Sequence, residues 1–339
     1  MGTRFTLSVP EDFVLRRDAC SYGYIVLAPN HWDVPTQTLS RVLSLESGAT
    51  RVRIAQAKDG GKAGEPLRVV CDRALDRSAV AQAKRQLARM LRLDESASEV
   101  ADFHRVDRRF KRSGRGRLFR SPSLFEDIIK TVTSCNVAWP STVHMNVRLC
   151  QVLGERATAR ANKERPGICP HDHAFPDATK MGRARPQTLR ARCRAGYRDA
   201  RMVELGKLFS PRRGREAERR AEWFEDPATA DDTLHDALLS LPGIGPYAAA
   251  NIMQLLGRYH RLPLDSESLR HGRNVLGYEG TDRQVLKMVH DHYLPFGRHA
   301  FRSYWFELWA FYESKAGPAW TWERERVAAT FTASNLKKA

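Results

Sequence analysis

Short apolar segments alternate with turn residues along the first hundred positions of the chain. Five of these segments are rich in β-branched or aromatic residues, as strands are: FTLSV, YGYIVLA, TLSRVLSL, TRVRIAQ and PLRVVCD. The Gly60-Gly61 pair between the last two suits a hairpin connection. Asp76 is a candidate N-cap for a helix through SAVAQAKRQLARMLRL, where apolar residues recur at helical spacing. The pattern predicts an antiparallel sheet domain with one helix over residues 1–98.

After Leu93 the apolar residues recur at helical spacing. Helices are predicted at LFEDIIKTVTSC, at STVHMNVRLCQVLG and at RDARMVELGKLF. Residues 155–190 are rich in Arg, Pro and Gly and show little periodicity, which indicates a long connection or an insertion. The basic stretch SPRRGREAERRAEW is also poorly periodic. The predicted fold class is therefore α+β, with a mainly helical region over 99–325 and a short tail over 326–339.

The segment DDTLHDALLSLPGIGPYAAANIMQLL contains two predicted helices joined by a tight turn. Asp231 or Asp232 is a candidate cap for the first helix, and PGIGP at 242–246 forces the turn. Two glycines around a small apolar residue let the backbone approach a phosphate, and the amide groups that begin the second helix then point at the anion. LPGIG before an Ala-rich helix is a more specific signal than an isolated G-x-G.

The chain is strongly basic, with 56 Lys and Arg against 39 Asp and Glu in 339 residues, and a formal net charge of +17. Residues 105–120 and 212–220 concentrate this charge. Such an excess favours a polyanionic partner, nucleic acid above all, and the alternative is a basic protein adapted for solubility. No apolar run approaches the roughly 18 residues of a membrane span, and the first residues contain no signal core. An intracellular protein, in the cytoplasm or nucleoid, is expected.

The six cysteines form no C-x-x-C pair, and their wide spacing favours reduced thiols. Cys169, His171 and His173 lie close together in CPHDH, but a zinc site needs a fourth ligand at recognisable spacing. This cluster is interpreted as a surface loop, with metal binding as the less favoured alternative. No metal site is predicted.

The LPGIG hairpin resembles the helix-hairpin-helix motif of the base-excision DNA glycosylases, the HhH-GPD superfamily. FHRVD, LFEDIIKTVTSCNVAW and AGYRDARMV are similar to segments of its 8-oxoguanine and 3-methyladenine glycosylase branches, and so is the N-terminal sheet domain. The resemblance implies a two-lobed helical region with the motif at about 232–257 and a cleft between the lobes. It implies a DNA N-glycosylase that flips a damaged or mismatched base from duplex DNA and hydrolyses its bond to the sugar.

Pro263-Leu264-Asp265 stands where that family has its catalytic Asp. Considered alone, Asp265 before Ser-Glu-Ser-Leu would be interpreted as a helix cap. With the hairpin upstream the catalytic role is favoured, and the two roles are compatible. The resemblance implies that this carboxylate stabilises the positive charge that develops on the sugar, and orients or deprotonates water.

Tyr247 stands where bifunctional members of the family carry a lysine. An amine can form a Schiff base with the sugar and a phenol cannot, so a monofunctional enzyme without AP-lyase activity is expected. Lys130, the nearest alternative amine on a matched helix, is expected to face elsewhere. A packing role for Tyr247 stays open.

The resemblance assigns further roles. Asn136 would fill the gap left by the flipped nucleotide, and Trp139 would line the base pocket, the alternatives being the end of a helix and core packing. Arg198 and Arg201 would contact phosphate, although solvated helix charges are the favoured alternative. The last aromatic helix would help to wall the pocket through Phe301, Tyr304 or Trp305, with core packing as the default. The candidate site residues are Asp265 as the catalytic group, Tyr247 and Trp139 in the base pocket, and Asn136, Gly243, Ile244, Gly245, Tyr197 and Arg198 as DNA-binding residues.

No cysteine follows Cys193, so the iron–sulfur cluster of the endonuclease III and adenine glycosylase relatives is not expected. A structural cation at the hairpin is allowed, and the expected partner of a monomeric chain is duplex DNA with a damaged or mismatched base. Tyr247 favours mismatched thymine or uracil, whereas the domain plan favours oxidised or alkylated purines. The alternative functions are a non-catalytic helix-hairpin-helix DNA-binding protein, a bifunctional glycosylase/lyase and, less favoured, a ribonucleoprotein component.

Overall fold

The computed structural model describes residues 2–56, 61–157, 172–210 and 215–323. Within these ranges the chain has the predicted α+β architecture, with one five-stranded sheet near its beginning and helices through the remainder. Gly60 of the predicted hairpin, Cys169 and His171 of the CPHDH cluster, and the predicted tail at 326–339 lie outside the described residues.

The sheet is antiparallel throughout and has the strand order β1-β5-β4-β3-β2. Its inner face is apolar because burial alternates along the strands, as in β5, where Leu67, Val69 and Cys71 are buried. The predicted helix α2 packs near this sheet and begins where expected, since the carboxylate of Asp76 accepts a hydrogen bond from the Ala79 amide at 2.8 Å. The strands are β1 (Arg4–Leu7), β2 (His31–Asp33), β3 (Thr38–Leu45), β4 (Gly48–Ala55) and β5 (Leu67–Cys71), and the first two helices are α1 (Leu15–Ala19) and α2 (Arg77–Met90).

The segment YGYIVLA is not the predicted strand. It forms a 3₁₀ turn over Gly23–Val26, and residues 21–28 are buried without alternation. The aromatic and β-branched composition that favours a strand is overridden by tertiary contacts, because the side chains of Tyr22 and Tyr24 bind helices elsewhere in the chain. This correction matters because the turn reaches the candidate site.

Twelve further helices follow in the described ranges. They are α3 (Ala97–Val106), α4 (Leu124–Ser134), α5 (Trp139–Leu153), α6 (Ala178–Arg183), α7 (Pro186–Cys193), α8 (Asp199–Phe209), α9 (Arg215–Glu225), α10 (Asp231–Leu239), α11 (Pro246–Leu255), α12 (Ser266–Asn274), α13 (Asp282–Tyr293) and α14 (Ala300–Ala316). No helix in the described part of the chain is both long and apolar enough to cross a membrane.

Three of these helices correct the sequence interpretation. α6 and α7 lie in the stretch at 155–190 that was expected to be irregular, and α9 lies in the basic stretch that follows α8. α6 crosses α8 closely at Gly182: a Cβ there would lie 2.8 Å from the backbone nitrogen of Lys207. A glycine at a helix crossing contributes no apolar side chain, so the helical spacing of apolar residues that would predict this helix is interrupted.

Two hydrophobic cores divide the molecule into lobes. The first core joins the sheet and α2 to α13 and α14, which come from distant parts of the sequence. The second core lies among the helices from α4 to α11. The chain between α11 and α12 therefore passes from one lobe to the other, and its residues Tyr259, Leu262 and Leu264 pack in or against the first core.

The basic residues at 105–120 fall into two groups, because Arg108, Lys111 and Arg112 are exposed whereas Arg115, Arg117 and Arg120 are paired with carboxylates and at least partly buried. Arg117 pairs with Asp12, and Arg120 pairs with Asp94, while both arginines are nearly inaccessible to solvent. Arg115 likewise pairs with Glu313. Part of the charge that favoured a polyanion is thus neutralised within the protein, where it links segments that are far apart in the chain, while Arg108, Lys111 and Arg112 keep their charge at the surface.

Candidate functional site

The hairpin between α10 and α11 places two glycines at the surface. Gly243 has a φ of 78°, a left-handed conformation that favours glycine, and Ile244 between the two glycines is buried in the second core. Gly245 caps α11, and a Cβ there would meet no heavy atom within 4 Å. The buried side chain of Ile244 therefore anchors the turn to the second core, while the start of α11 is open to an anion.

The predicted cap of α10 is wrong. The N-cap is Ala230, which has no side-chain cap, and Asp231 and Asp232 are the first residues of the helix itself. Asp231 instead pairs with Arg258 at 3.0 Å. Both carboxylates still lie at the positive end of the helix dipole, where negative charge is favourable.

Tyr197 lies beside this hairpin and is 53% exposed. Its ring has the guanidinium carbon of Arg198 at 4.4 Å from the centroid and that of Arg201 at 5.6 Å. Arg201 also touches the turn, since a Cβ on Gly243 would lie 2.7 Å from its Cδ. The hairpin and the exposed ring thus form one continuous surface.

Asp265 is the N-cap of α12, as its sequence context allows. Its Oδ1 accepts hydrogen bonds from the amides of Glu267 at 2.9 Å and Ser268 at 3.0 Å, and from the Ser268 hydroxyl at 3.3 Å. The amide of Asp265 donates in return to the Ser268 hydroxyl at 3.2 Å, which completes a capping box. The carboxylate is therefore fixed in orientation before any ligand arrives.

Burial raises the pKa of Asp265 above its ordinary value. Hydrogen bonds from Ser268 and Tyr247 and the charge of Arg270 act in the opposite direction and lower the pKa. Burial and then the charge of Asp265 raise the pKa of Tyr247 well above its ordinary value, so Tyr247 is a neutral phenol at neutral pH. The site combines a carboxylate with a neutral donor in partly desolvated surroundings.

Aromatic side chains that pack in or against the first core lie near the carboxylate. Tyr304 of α14 shares a hydrogen bond of 2.9 Å with the Ser268 hydroxyl, and burial followed by the charge of Asp265 raises its pKa. Trp305 packs against Tyr22 with ring centroids 4.6 Å apart and the ring planes tilted by 50°. Trp139 borders the same region, because a Cβ on the neighbouring Gly23 would lie 3.3 Å from its ring. These rings offer apolar faces beside a single fixed charge.

Asn136 occupies the turn that follows α4, with an exposed side chain and a φ of 49°. Arg198 supports this turn from inside: its guanidinium donates to the carbonyl oxygens of Val132 at 3.1 Å, of Cys135, and of Asn136 at 3.4 Å. Arg198 is only 6% exposed. The expectation of a solvated helix charge is therefore wrong for Arg198, because this guanidinium satisfies carbonyl groups at the end of α4.

No protein-family model and no curated protein matches the sequence of the chain. Solved structures match it over most of its length. A 3-methyladenine DNA glycosylase from Archaeoglobus fulgidus has a TM-score of 0.63 and 17% identity, covering 88% of this chain and 97% of its own. MBOgg1 in complex with a low-affinity DNA ligand has a TM-score of 0.64 and 15% identity, covering 93% and 97%.

A third structure is the Clostridium acetobutylicum 8-oxoguanine glycosylase/lyase bound to double-stranded DNA that contains cytosine opposite 8-oxoG. Its TM-score is 0.60 at 16% identity, and the match covers 93% of this chain and 98% of that one. The chain has the helix-hairpin-helix DNA glycosylase fold. The resemblance carried by LPGIG and its flanking segments is thereby confirmed at the level of fold.

Within the glycosylase fold, the sequence interpretation missed the contribution of the N-terminal turn. The Tyr22 hydroxyl donates to the side-chain carbonyl of Asn251 at 2.7 Å, and the Asn251 amide donates to the Thr131 hydroxyl at 3.0 Å. Tyr24 joins the same buried network through Thr131 at 2.8 Å. Two phenols in an apolar run were a signal that this segment needs polar partners, but nothing in the sequence identifies those partners.

Ser268 was also missed, although its signal was present. An Asp followed three residues later by Ser is a capping-box pattern, and here that hydroxyl links Asp265 to Tyr304. Of the three aromatic candidates on α14, Phe301 is fully buried in the first core, as the default predicted, and Tyr304 and Trp305 border the site.

The Lys130 side chain points into the protein interior. It is fully buried, with its Nζ 2.7 Å from a carboxylate oxygen of Glu126, which also binds Arg41 at 2.9 Å. Among the residues that the structure describes, no group of three or more His, Cys, Asp or Glu side chains is placed to hold a metal ion.

Proposed function

We propose that the chain is a DNA glycosylase that removes a damaged or mismatched base from duplex DNA by hydrolysing its N-glycosidic bond, with Asp265 as the catalytic carboxylate. The observation that carries this proposal is a fixed, partly desolvated carboxylate among aromatic rings at the junction of two lobes. A protein that only binds DNA has no need of such a group. The names of the solved structures that share this fold support the same conclusion.

Cleavage of a glycosidic bond builds positive charge on the sugar ring. A carboxylate of reduced hydration attracts that charge more strongly than it would in water, and its orientation is already set by the start of α12. Asp265 can also orient the attacking water or accept its proton. Tyr247 supplies a neutral hydroxyl that donates to the carboxylate and carries no competing charge.

The remaining site residues fit base extrusion. Asn136 projects from a supported turn and can bond with the partner base that is left behind. The rings of Trp139 and Trp305, both partly exposed, can stack on the extruded base, while the hairpin at Gly243 and Gly245 binds backbone phosphate. These roles together account for the exposed and the buried members of the site.

The function is tested with end-labelled duplexes that each contain one lesion: an alkylated purine, 8-oxoguanine opposite cytosine, or thymine or uracil opposite guanine. Excess protein is incubated with each duplex, and abasic sites are revealed by alkali. Alkali-dependent cleavage of at least one duplex is expected. Binding to all duplexes without release of any base would instead favour a non-catalytic helix-hairpin-helix protein.

We expect no covalent trapping by borohydride and no strand cleavage before alkali treatment. Tyr247 cannot form a Schiff base with the sugar, and Lys130 is buried against Glu126. The C. acetobutylicum glycosylase/lyase serves as the positive control on 8-oxoguanine. A borohydride-trapped complex that survives denaturation would show that the chain is bifunctional.

Ser268→Ala is expected to move the acid limb of the pH–rate profile for base release to higher pH, since a hydrogen bond that favours the carboxylate form is removed. The Ser268 hydroxyl lowers the pKa of Asp265, so its removal raises the pKa, and the reactive carboxylate form is then lost at a higher pH. At pH values above this acid limb, the rate of base release should approach that of the parent protein. Single-turnover rates across the pH range measure this.

Tyr304→Phe is the matched control for this variant. It removes the other hydrogen-bond partner of Ser268 and keeps the hydroxyl that faces Asp265. Its acid limb should stay close to that of the parent. An unmoved limb in Ser268→Ala would contradict the role assigned to this hydroxyl.

A further inference from the structure

A concave basic groove lies between α5 and α7, on residues that the proposed chemistry does not use. The cavity has a volume of about 600 Å³ and is lined by His144, Arg148, Arg192 and Arg194, with Gln151 and two valines among them. Arg148 fixes the junction of the two helices by donating to the backbone carbonyl of Arg192 at 3.2 Å. Three guanidinium groups and an imidazole thus converge on one concavity.

The charge of this groove is not balanced locally. Of the described residues, those that line the cavity include no Asp or Glu. Arg115, Arg117 and Arg120 elsewhere in the chain are, by contrast, paired with carboxylates. A concave surface with one sign of charge concentrates its field and attracts an extended polyanion.

The groove is connected to the turn that contains Asn136. α5 begins at Trp139, three residues after Asn136, and α7 ends next to Arg194, just before the segment from which Arg198 binds the Asn136 carbonyl. Arg148 lies nine residues along α5 from Trp139, a distance of about 14 Å at 1.5 Å per residue. A DNA strand advances about 3.4 Å per nucleotide, so this span corresponds to about four nucleotides.

We propose that this groove binds the phosphodiester backbone of the duplex to one side of the extruded nucleotide, about four nucleotides away from it. Its position relative to that nucleotide rests on the proposed function. Guanidinium groups bind phosphate oxygens in pairs of hydrogen bonds and carry no sequence information. The groove therefore adds affinity and salt dependence for every duplex and takes no part in bond cleavage.

The test is a triple variant, Arg148→Gln, Arg192→Gln and Arg194→Gln, with thermal unfolding as the check that the fold is retained. Binding to lesion-bearing and undamaged duplexes should weaken about tenfold or more at low salt, and the slope of log K against log salt should become shallower by about two to three. Two further duplexes each end about two nucleotides from the lesion on one side and extend about twelve nucleotides on the other: the one truncated on the groove side should bind the parent and the variant equally, and the other should keep the difference. The base-release rate at saturating protein should not change.

The matched control removes the same charge from the sheet domain and α2 through Arg68→Gln, Arg77→Gln and Arg85→Gln, all of which are exposed. If the groove variant binds duplexes as this control does, the groove proposal is overturned, whether or not the parent releases a base. Loss of poly-glutamate binding in the groove variant, with duplex binding unchanged, would overturn it in favour of an acidic protein partner. If the parent releases no base and the groove variant still loses duplex affinity, the groove proposal stands and the proposed function fails.

Discussion

Asp265→Asn is expected to lower the single-turnover rate of base release by about a thousandfold, while duplex affinity stays close to that of the parent. A neutral amide neither stabilises positive charge on the sugar nor accepts a proton from water. Asn is as good a helix cap as Asp, so the variant can keep the hydrogen bonds of Oδ1 with Glu267 and Ser268 and the start of α12 with them. Rates at saturating protein, with binding measured on the same duplex, separate the two effects.

Asp76→Asn is the matched control for this substitution. Asp76 caps α2 as Asp265 caps α12, by accepting a backbone amide hydrogen bond, but it lies in the sheet domain. The control should release base at the parental rate. If Asp265→Asn did so as well, the catalytic assignment would be wrong, and the chain would be better described as a DNA-binding protein that keeps the hairpin.

Gly245→Arg is expected to weaken binding to every duplex by about 10- to 100-fold, with or without a lesion. Space for a side chain is open at this position and the backbone φ of −102° suits any residue, so the fold should be retained. The added side chain would occupy the volume through which a phosphate approaches the start of α11, and each charge-assisted hydrogen bond lost there costs about 1.5–3 kcal/mol. Fluorescence anisotropy with lesion-bearing and undamaged duplexes measures the loss.

The direction of the change in duplex affinity is informative, because Gly245→Arg also adds a positive charge that by itself would strengthen binding. Ala81→Arg, on the exposed side of α2, adds the same charge away from the hairpin and should not weaken binding. A loss confined to lesion-bearing duplexes would contradict the phosphate-binding role of the hairpin and would place Gly245 in lesion recognition instead.

The parts of the fold and site that the sequence predicted are those specified by neighbouring residues. The LPGIG turn requires a left-handed glycine and a buried apolar residue within four positions, and both are present at Gly243 and Ile244. The cap of α2 at Asp76 and the position of Asp265 before α12 are local in the same sense. Short-range patterns of this kind specify local structure independently of the tertiary contacts around them.

The parts that could not be predicted depend on partners far along the chain. The segment at Tyr22 has strand-like composition and becomes a 3₁₀ turn because its hydroxyl binds Asn251, which is 229 residues away. From the sequence alone, Arg198 is interpreted as a surface charge, but in the fold its guanidinium donates a hydrogen bond to the carbonyl oxygen of Val132. In α6 the informative position is Gly182, whose function is to have no side chain at a helix crossing. None of these interactions produces a periodic pattern of apolar residues in the sequence.

The first core joins the sheet near the beginning of the chain to α13 and α14 near residue 300, and Asp265 lies at the crossing between this core and the other. During synthesis, the sheet and α2 can pack together once they have left the ribosome, but the first core is complete only when α13 and α14 have followed. Contacts between residues so far apart in the sequence form late and slowly. On the proposed function, a nascent chain that lacks α14 has its hairpin but lacks Tyr304 and Trp305 of the site, so DNA binding can precede catalytic competence during biosynthesis.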